Sequence, residues 1–392
     1  MTTRIAVAVI GAGAMGSGIA QVAAQAGHEV YLVDAMDGAA QAARDRLAAT
    51  LAKLAERGKL SAAEASATTE RLHVVTDAAA LPPCGLVIEA IKEDLAVKRA
   101  LFDVLASTQS EQSVLASNTS SLDIAAIAQD VPNPGRVIGL HFFNPPALMK
   151  LVEVIRGTNS DPAVLDEMTE LMRAWGKTPV RCVSAPGFIV NRVARPYYGE
   201  GQRMAADGTL DPATLDYCLR EYAGFRMGPL ELGDLIGHDV NYAVGCSVWE
   251  QTDRDPRYTP TDYQKTLVEA GRLGRKTGRG VYRYDDAGQA TDNTPDLELA
   301  ARLVGGPIET DPVARTLAML VNEAADLVHR GEASAQDVDI AMKLGTNYPK
   351  GPIEWGREIG FDVVADQLAK LDAAFPGGRY RPSPALSDGT LE

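Results

Sequence analysis

The chain has no run of 18 or more apolar residues, so no helical membrane span is expected. Its opening, "MTTRIAVAVIGAG", lacks the basic start, long apolar core and cleavage site of a secretory leader, and the apolar run ends in a glycine loop. Basic charge is in deficit: 38 Lys and Arg stand against 52 Asp and Glu, for a net charge of -14. Such a surface repels nucleic acid and anionic membrane, and neither is expected as a partner. Cysteine is scarce. Cys84, Cys182, Cys218 and Cys246 are scattered without metal-ligand spacing, which suits free thiols in a reducing cytoplasm better than a disulfide framework. The five histidines do not cluster either, so no metal is expected.

What remains is a globular composition, 46% hydrophobic and 23% charged, in a chain of 392 residues, long enough for two or three domains. The first 185 residues alternate β-branched runs with helical stretches. Strand candidates are "RIAVAVIG", "EVYLVD", "LHVVTD", "CGLVIEA", "SVLASNTS", "RVIGLHFF", "KLVEVIRG" and "PVRCVS". Alanine-rich amphipathic segments separate the first five, which argues for a mainly parallel sheet with helices on both faces. Shorter connections between the last three suggest an antiparallel edge.

After "APGFIVNR" the pattern changes to helices punctuated by glycine and proline. An internal repeat follows: "TLDYCLREYAGFRMGPLELGDLIGHD" aligns without a gap on "DVDIAMKLGTNYPKGPIEWGREIGFD", 123 residues later. The same shift pairs Arg192 with Arg315, Glu200 with Glu323 and Gly208 with Gly331. The expected organisation is a doubly wound, Rossmann-type α/β domain over 1–185 and an all-α region of two tandem copies. The copies are set at 186–284 and 310–392, with a linker at 285–309.

"VIGAGAMGSGIA" sets Gly11, Gly13 and Gly16 between a strand and a helix. Gly11 permits a tight turn, Gly13 lets the backbone approach a pyrophosphate, and Gly16 lets the helix pack on the sheet. The helix N-terminus, with Ala14 and Met15, offers free N–H groups to phosphates. The second strand ends "YLVD", placing Asp34 18 residues past Gly16, where a carboxylate can accept from both ribose hydroxyls. Asp34 would repel a 2′-phosphate and "DAMDG" supplies no arginine, so NAD is favoured over NADP.

"GLHFFNPPALMKLVEVIRG" puts His141 and Glu153 in two apolar runs around a Pro-Pro turn. If the runs form a hairpin about residue 147, the two lie opposite each other. A buried carboxylate in "KLVEVI" is costly without a partner. A histidine removes much of that cost, and the carboxylate in turn stabilises the imidazolium that a general base becomes. The alternative is a buried pair that only holds the hairpin together. "LASNTSSL" ends the fifth strand, and Asn118, Ser120 and Ser121 offer hydrogen bonds at the ligand-binding edge of such a sheet. Ser121 could instead be only an N-cap of the next helix. Asn191 begins the helical region, and could be either a site residue or a helix amide bonded to a loop.

These stretches, with "VIEAIKEDLAVKRALF", "MGPLELGDLIG" and "GRKTGRGVYRY", resemble the 3-hydroxyacyl-CoA dehydrogenase family over residues 4 to 284, in the family's order. The resemblance implies NAD-dependent interconversion of an L-3-hydroxyacyl-CoA and a 3-ketoacyl-CoA, as in fatty-acid β-oxidation or 3-hydroxybutyryl-CoA metabolism. By position it implies His141 as catalytic base, Glu153 as its carboxylate, and Ser120 and Asn191 as holders of the reacting oxygen. It implies Glu93, Lys98 and Lys276 as further cofactor contacts, beside Asn118. Thr50 and Arg57 fall where family members place a CoA-contacting serine and lysine. The second helical copy resembles that of the longer, multifunctional members. No hydratase region is visible, so only the dehydrogenase step is expected. Two other readings stay open: a dehydrogenase of a free 3-hydroxy acid without CoA, and an NAD-binding protein that has lost catalysis. The expected assembly is a monomer whose helical copies form an intrachain pseudo-dimer, or a homodimer.

Overall fold

The structure is a computed structural model of the chain and describes residues 4–208 and 210–391. The chain divides into two compact units, the first ending at Phe188 and the second beginning at Ile189.

The first unit is built on eight strands: β1 (Ala6–Ile10), β2 (Glu29–Val33), β3 (Leu72–Val75), β4 (Leu86–Glu89), β5 (Val114–Ser117), β6 (Val137–Phe142), β7 (Leu151–Arg156) and β8 (Thr178–Val183). Its helices are α1 (Ala14–Gln25), α2 (Ala39–Glu56), α3 (Ala62–Glu70), α4 (Leu95–Thr108), α5 (Ile124–Ile127) and α6 (Pro162–Ala174). The strands form one sheet in the order β3-β2-β1-β4-β5-β6-β7-β8. Strands β1 to β6 run parallel, and the order reverses between β1 and β4, a doubly wound sheet. Residues of β1 and β4 are buried on both faces, as a sheet covered by helices requires. The edge differs from the expectation in one respect. β7 is antiparallel to β6, but β8 is parallel to β7, because α6 crosses between them rather than a tight turn.

The second unit is helical: α7 (Val190–Val193), α8 (Arg195–Ala206), α9 (Pro212–Ala223), α10 (Pro229–Ile236), α11 (His238–Gln251), α12 (Asp262–Glu269), α13 (Leu297–Leu303), α14 (Pro312–His329), α15 (Ala335–Thr346), α16 (Pro352–Ile359) and α17 (Phe361–Ala374). A shift of 123 residues carries α9, α10 and α11 onto α15, α16 and α17. It carries α7 and α8 together onto α14, which is continuous because Met319 stands where Pro196 interrupts the first copy. Residues 315–327 of α14 are all buried, so this helix is the core of the unit, packed against α8 and α9 of one copy and α16 and α17 of the other. The stretch 285–309, expected as a linker, carries α13, which Asp296 caps and which packs on α9. The "GRKTGRGVYRY" segment forms small bridged loops around one 3-10 turn, Arg275–Thr277, rather than α-helix. It is drawn onto the buried Asp234 carboxylate by the N–H groups of Val281 and Tyr282 and the hydroxyl of Tyr284.

Arginine–glutamate pairs join the copies reciprocally. Arg192 bonds Glu323 at 2.7 Å, and its counterpart Arg315 bonds Glu200, the counterpart of Glu323, at 2.8 Å. A tyrosine and a second arginine complete each cluster: Tyr258 and Arg257 on Glu323, Tyr380 and Arg379 on Glu200. Burial drives Glu200 toward the neutral acid, but Arg379, Arg315 and Arg203 outweigh it and hold its carboxyl down at about 2.

Candidate active site

In the first unit the site gathers at the carboxyl ends of the parallel strands. Gly11 follows β1 with φ 104°, and a Cβ there would lie 2.5 Å from the carbonyl oxygen of Ala90, so only glycine fits. A Cβ on Gly16 would lie 1.7 Å from the Gly11 oxygen, which is why α1 can seat so close to the loop. Gly13 has nothing within 4 Å of its Cβ position, and no side chain caps the N-terminus of α1. The N–H groups at Ala14, Met15 and Gly16 therefore face a cradle that a diphosphate fits. Asp34, just past β2, is pinned by two amides: Ala12 N–H donates to Oδ2 at 2.7 Å and Met36 N–H to Oδ1 at 2.9 Å. Each oxygen keeps accepting capacity for a ribose hydroxyl. The residues present fit a dinucleotide.

His141 and Glu153 are direct partners in the β6–β7 register, and Nδ1 lies 2.6 Å from Oε2. They are 7% and 0% exposed, so the carboxylate is held in an apolar sheet with the imidazole as its hydrogen-bond partner. With Nδ1 engaged, Nε2 is the nitrogen left for a substrate proton. Phe143 and Phe188 flank the ring, with centroids 4.5 and 6.0 Å away. The connecting turn contains a cis Asn144–Pro145 peptide. It is braced by Lys177, whose ammonium donates to the carbonyls of Pro146 and Met149. It also packs on α1: a Cβ on Gly18 would meet Pro146 at 2.7 Å, so the cofactor helix and the dyad hairpin are in direct contact.

Asn118 Oδ1 accepts from the Phe142 N–H at 2.8 Å, tying the end of β5 to the residue after His141. Ser120 belongs to a network centred on Glu93. Oε1 of Glu93 accepts from Thr119 Oγ1 (2.6 Å), the Ser120 N–H (2.9 Å) and Ser121 Oγ (3.1 Å). Burial pushes Glu93 up, but the Thr119 hydroxyl and the Lys98 charge outweigh it and hold its carboxyl below the ordinary glutamate range. Ser121 is therefore a Glu93 partner rather than the helix cap. The cap of α5 is Asp123, which accepts from Ala125 and Ala126 N–H.

Lys98 is 1% exposed, its ammonium enclosed by Glu89 Oε1 at 2.6 Å and Glu93 Oε2 at 3.2 Å. That enclosure leaves it to act on the site through the carboxylates. Glu89 and Ser117, joined at 2.6 Å, form the base of the network. Sequence reasoning passed over both, since each reads as an ordinary strand end; a glutamate closing an apolar parallel strand was the available signal.

The remaining candidates lie on other elements. Thr50 and Arg57 are exposed on α2 and at its end, two helical turns apart and so on one face; Thr50 donates back to the Arg46 carbonyl. In the second unit Asn191 lies on α7, and Lys276 pairs with Asp239. Among the described residues no group of three or more His, Cys, Asp or Glu is placed to hold a metal ion, and no helix is long and apolar enough to cross a membrane.

Family models match both units of the chain. The family model for the 3-hydroxyacyl-CoA dehydrogenase NAD binding domain matches residues 6–185. The model for the C-terminal domain of the same family matches residues 187–284 and again 312–390. A 3-hydroxyadipyl-CoA dehydrogenase of Escherichia coli K12 is 40% identical, over 98% of this chain and 97% of its own length. The human mitochondrial hydroxyacyl-coenzyme A dehydrogenase is 38% identical, over 71% of this chain and 90% of its own. A crystal structure of a 3-hydroxybutyryl-CoA dehydrogenase from E. coli K12 superposes with a TM-score of 0.90 at 40% identity, covering 99% of this chain and 98% of that one. By fold, site and these matches, the chain belongs to the 3-hydroxyacyl-CoA dehydrogenase family.

Proposed function

We propose that His141 is the general base of the family's reaction, the NAD-dependent interconversion of a 3-hydroxyacyl-CoA and a 3-ketoacyl-CoA. In the oxidation direction Nε2 takes the proton of the 3-hydroxyl. Glu153 stabilises the imidazolium that forms and holds the ring in the tautomer that presents Nε2. Ser120 and Asn191 hold the oxygen as it becomes a carbonyl. The nicotinamide, when bound, takes the hydride from C3. Gly11, Gly13, Ala14, Met15 and Gly16 cradle its diphosphate, and Asp34 selects NAD over NADP by repelling a 2′-phosphate. Glu93, held by Lys98, sets the Ser120 loop, with Asn118 bracing it and Lys276 completing the cofactor contacts. The single observation carrying this reading is the His141–Glu153 pair, 2.6 Å apart and buried, beside a dinucleotide cradle.

The substrate is a thioester of coenzyme A, with Thr50 and Arg57 on α2 as the CoA contacts. A relative matched end to end is named for a dicarboxylyl substrate, 3-hydroxyadipyl-CoA, so dicarboxylyl thioesters belong in the class considered. The second helical copy, lacking a nucleotide domain and carrying Ala314 where the first has Asn191, is structural, and makes the chain a monomer with an internal pseudo-dimer. The four cysteines form no disulfide, which suits a reducing cytoplasm. The test is a turnover panel with NADH: acetoacetyl-CoA, longer 3-ketoacyl-CoAs, a dicarboxylic 3-ketoacyl-CoA and free 3-keto acids. Turnover confined to thioesters supports the reading. Equal turnover of free acids supports a dehydrogenase without CoA, and no turnover supports a retired enzyme.

A further inference from the structure

The two helical copies provide an internal control. Under the 123-residue shift they keep Arg192 with Arg315, Glu200 with Glu323, and Asp216 with Asp339. Beside Asn191 they part: Arg195, Gln202 and Asn241 correspond to Ala318, Ala325 and Val364. The fold therefore packs at these places with apolar side chains, and does not itself demand the polar set of the first copy.

Those polar residues line one cavity. Arg195 and Gln202 lie on one face of α8, and Asn241 and Gln264 stand across from them. The lining holds no Asp or Glu; its Arg257 and Arg379 are committed to Glu323 and Glu200, which leaves Arg195 as the arginine available to a ligand. Arg195 is half-buried and, among the described residues, forms no ion pair. Its Nε donates to the Asn191 carbonyl at 2.8 Å and Nη1 to the Asn241 carbonyl at 3.3 Å, which aims the guanidinium and leaves both N–H groups of Nη2 unused. Burial pushes Arg195 below the ordinary arginine value with no carboxylate to offset it; in Arg192 and Arg315 burial is outweighed by glutamate, and the shift is upward. Gln202 is 2% exposed; the Thr261 hydroxyl donates to its Oε1 at 2.6 Å, and Nε2 has no acceptor. A buried donor without an acceptor calls for one. The cavity thus presents donors and positive charge, the complement of an anion.

We propose that this cavity takes the distal carboxylate of a 3-hydroxydicarboxylyl-CoA, with Arg195 as its charged partner and Gln202 as a second donor. This rests on the reading of Asn191 as a holder of the C3 oxygen. Ala194 keeps helical backbone between α7 and α8, at φ -75° and ψ -13°, so Asn191 and Arg195 share a helix face. Side chains four residues apart on such a face stand roughly 5–6 Å from each other at Cβ. In a six-carbon dicarboxylyl group the carboxylate carbon lies three bonds beyond C3, roughly 4 Å in an extended chain. With its C3 oxygen at Asn191, such an acyl group brings its carboxylate within hydrogen-bonding reach of Arg195. A purely structural account makes Arg195 a cap for carbonyls exposed by the break at Pro196.

The test is kcat and KM for 3-oxoadipyl-CoA against 3-oxohexanoyl-CoA, which has the same six carbons but ends in a methyl group. Acetoacetyl-CoA serves as the reference for activity. The wild type, Arg195→Ala (the residue the second copy carries) and Arg195→Lys are compared. Wild type should prefer 3-oxoadipyl-CoA. Arg195→Ala should cut that preference in kcat/KM about thirtyfold or more, mostly through KM, and Arg195→Lys should retain part of it. Equal losses on both six-carbon substrates would make Arg195 a cap and overturn the proposal. So would a wild type without preference, an outcome readable even if Arg195→Ala fails to fold. Failure of the wild type on acetoacetyl-CoA would instead overturn the dehydrogenase reading itself.

Discussion

Both units bury glutamates in apolar surroundings, and they answer the charge in different ways. In the sheet, Glu153 faces the imidazole of His141 across the hairpin, and that imidazole keeps Nε2 for other use. In the helical unit, Glu200 is surrounded by Arg315, Arg379 and Tyr380, and Glu323 by Arg192, Arg257 and Tyr258. One arrangement leaves a titratable nitrogen at a strand end; the other spends its donors on holding two copies together. The first suits proton transfer and the second suits assembly. Substitutions at the two glutamate types should therefore separate activity from stability.

The largest effect should come from removing the second copy. Ending the chain within 285–298 strips Arg192 of Glu323, Asp326 and Glu332, and uncovers the faces of α8 and α9 that pack on α14. Light scattering should show a fragment that self-associates or aggregates; a soluble, active monomer would dissolve the contrast. Next, Glu153→Gln keeps the shape and a hydrogen bond but loses the charge that stabilises an imidazolium. Its kcat should fall by about two orders of magnitude or more with a nearly unchanged melting temperature. Glu323→Gln and Glu200→Gln should do the reverse. Glu200→Gln takes the carboxylate from buried Arg315 and Arg379 and should cost about 3–5 kcal/mol in denaturant unfolding, whereas Glu323→Gln should cost less, because Arg192 keeps Asp326 and Glu332 and Arg257 keeps Asp326. The smallest effect is in acid. The Glu200 carboxyl is held at about 2 in the folded chain against an ordinary 4.5, so its contribution is complete above pH 4.5 and is lost as pH falls toward 2. That loss is on the order of 3 kcal/mol, and Glu200→Gln should flatten the stability profile in this window.

Much of this was legible in the residues. All eight strands announce themselves as β-branched runs, and a charged residue inside two of them pointed to the dyad. The hairpin turn at residue 147 was enough to set His141 opposite Glu153. The glycine loop and Asp34 carried the nucleotide reading because each glycine has its own steric reason. Other features were hidden because they depend on which residues meet in space. A repeat shows that Arg192 corresponds to Arg315, but equivalence does not reveal that each reaches the glutamate of the other copy. The direction of β8 depended on α6 crossing the sheet, which strand patterns do not record. The resemblance marked Lys98 as a cofactor contact, but no sequence pattern shows that the glutamates at 89 and 93 enclose it. Arg195 gave no signal until its lack of a carboxylate partner could be seen.

The claim on which the rest depends is that His141 moves the proton. The direct measurement is kcat for folded His141→Gln with acetoacetyl-CoA and NADH, alongside NADH binding by fluorescence titration. A fall of about two to four orders of magnitude in kcat with NADH affinity little changed is the predicted result. Near-normal kcat in that protein would contradict the account.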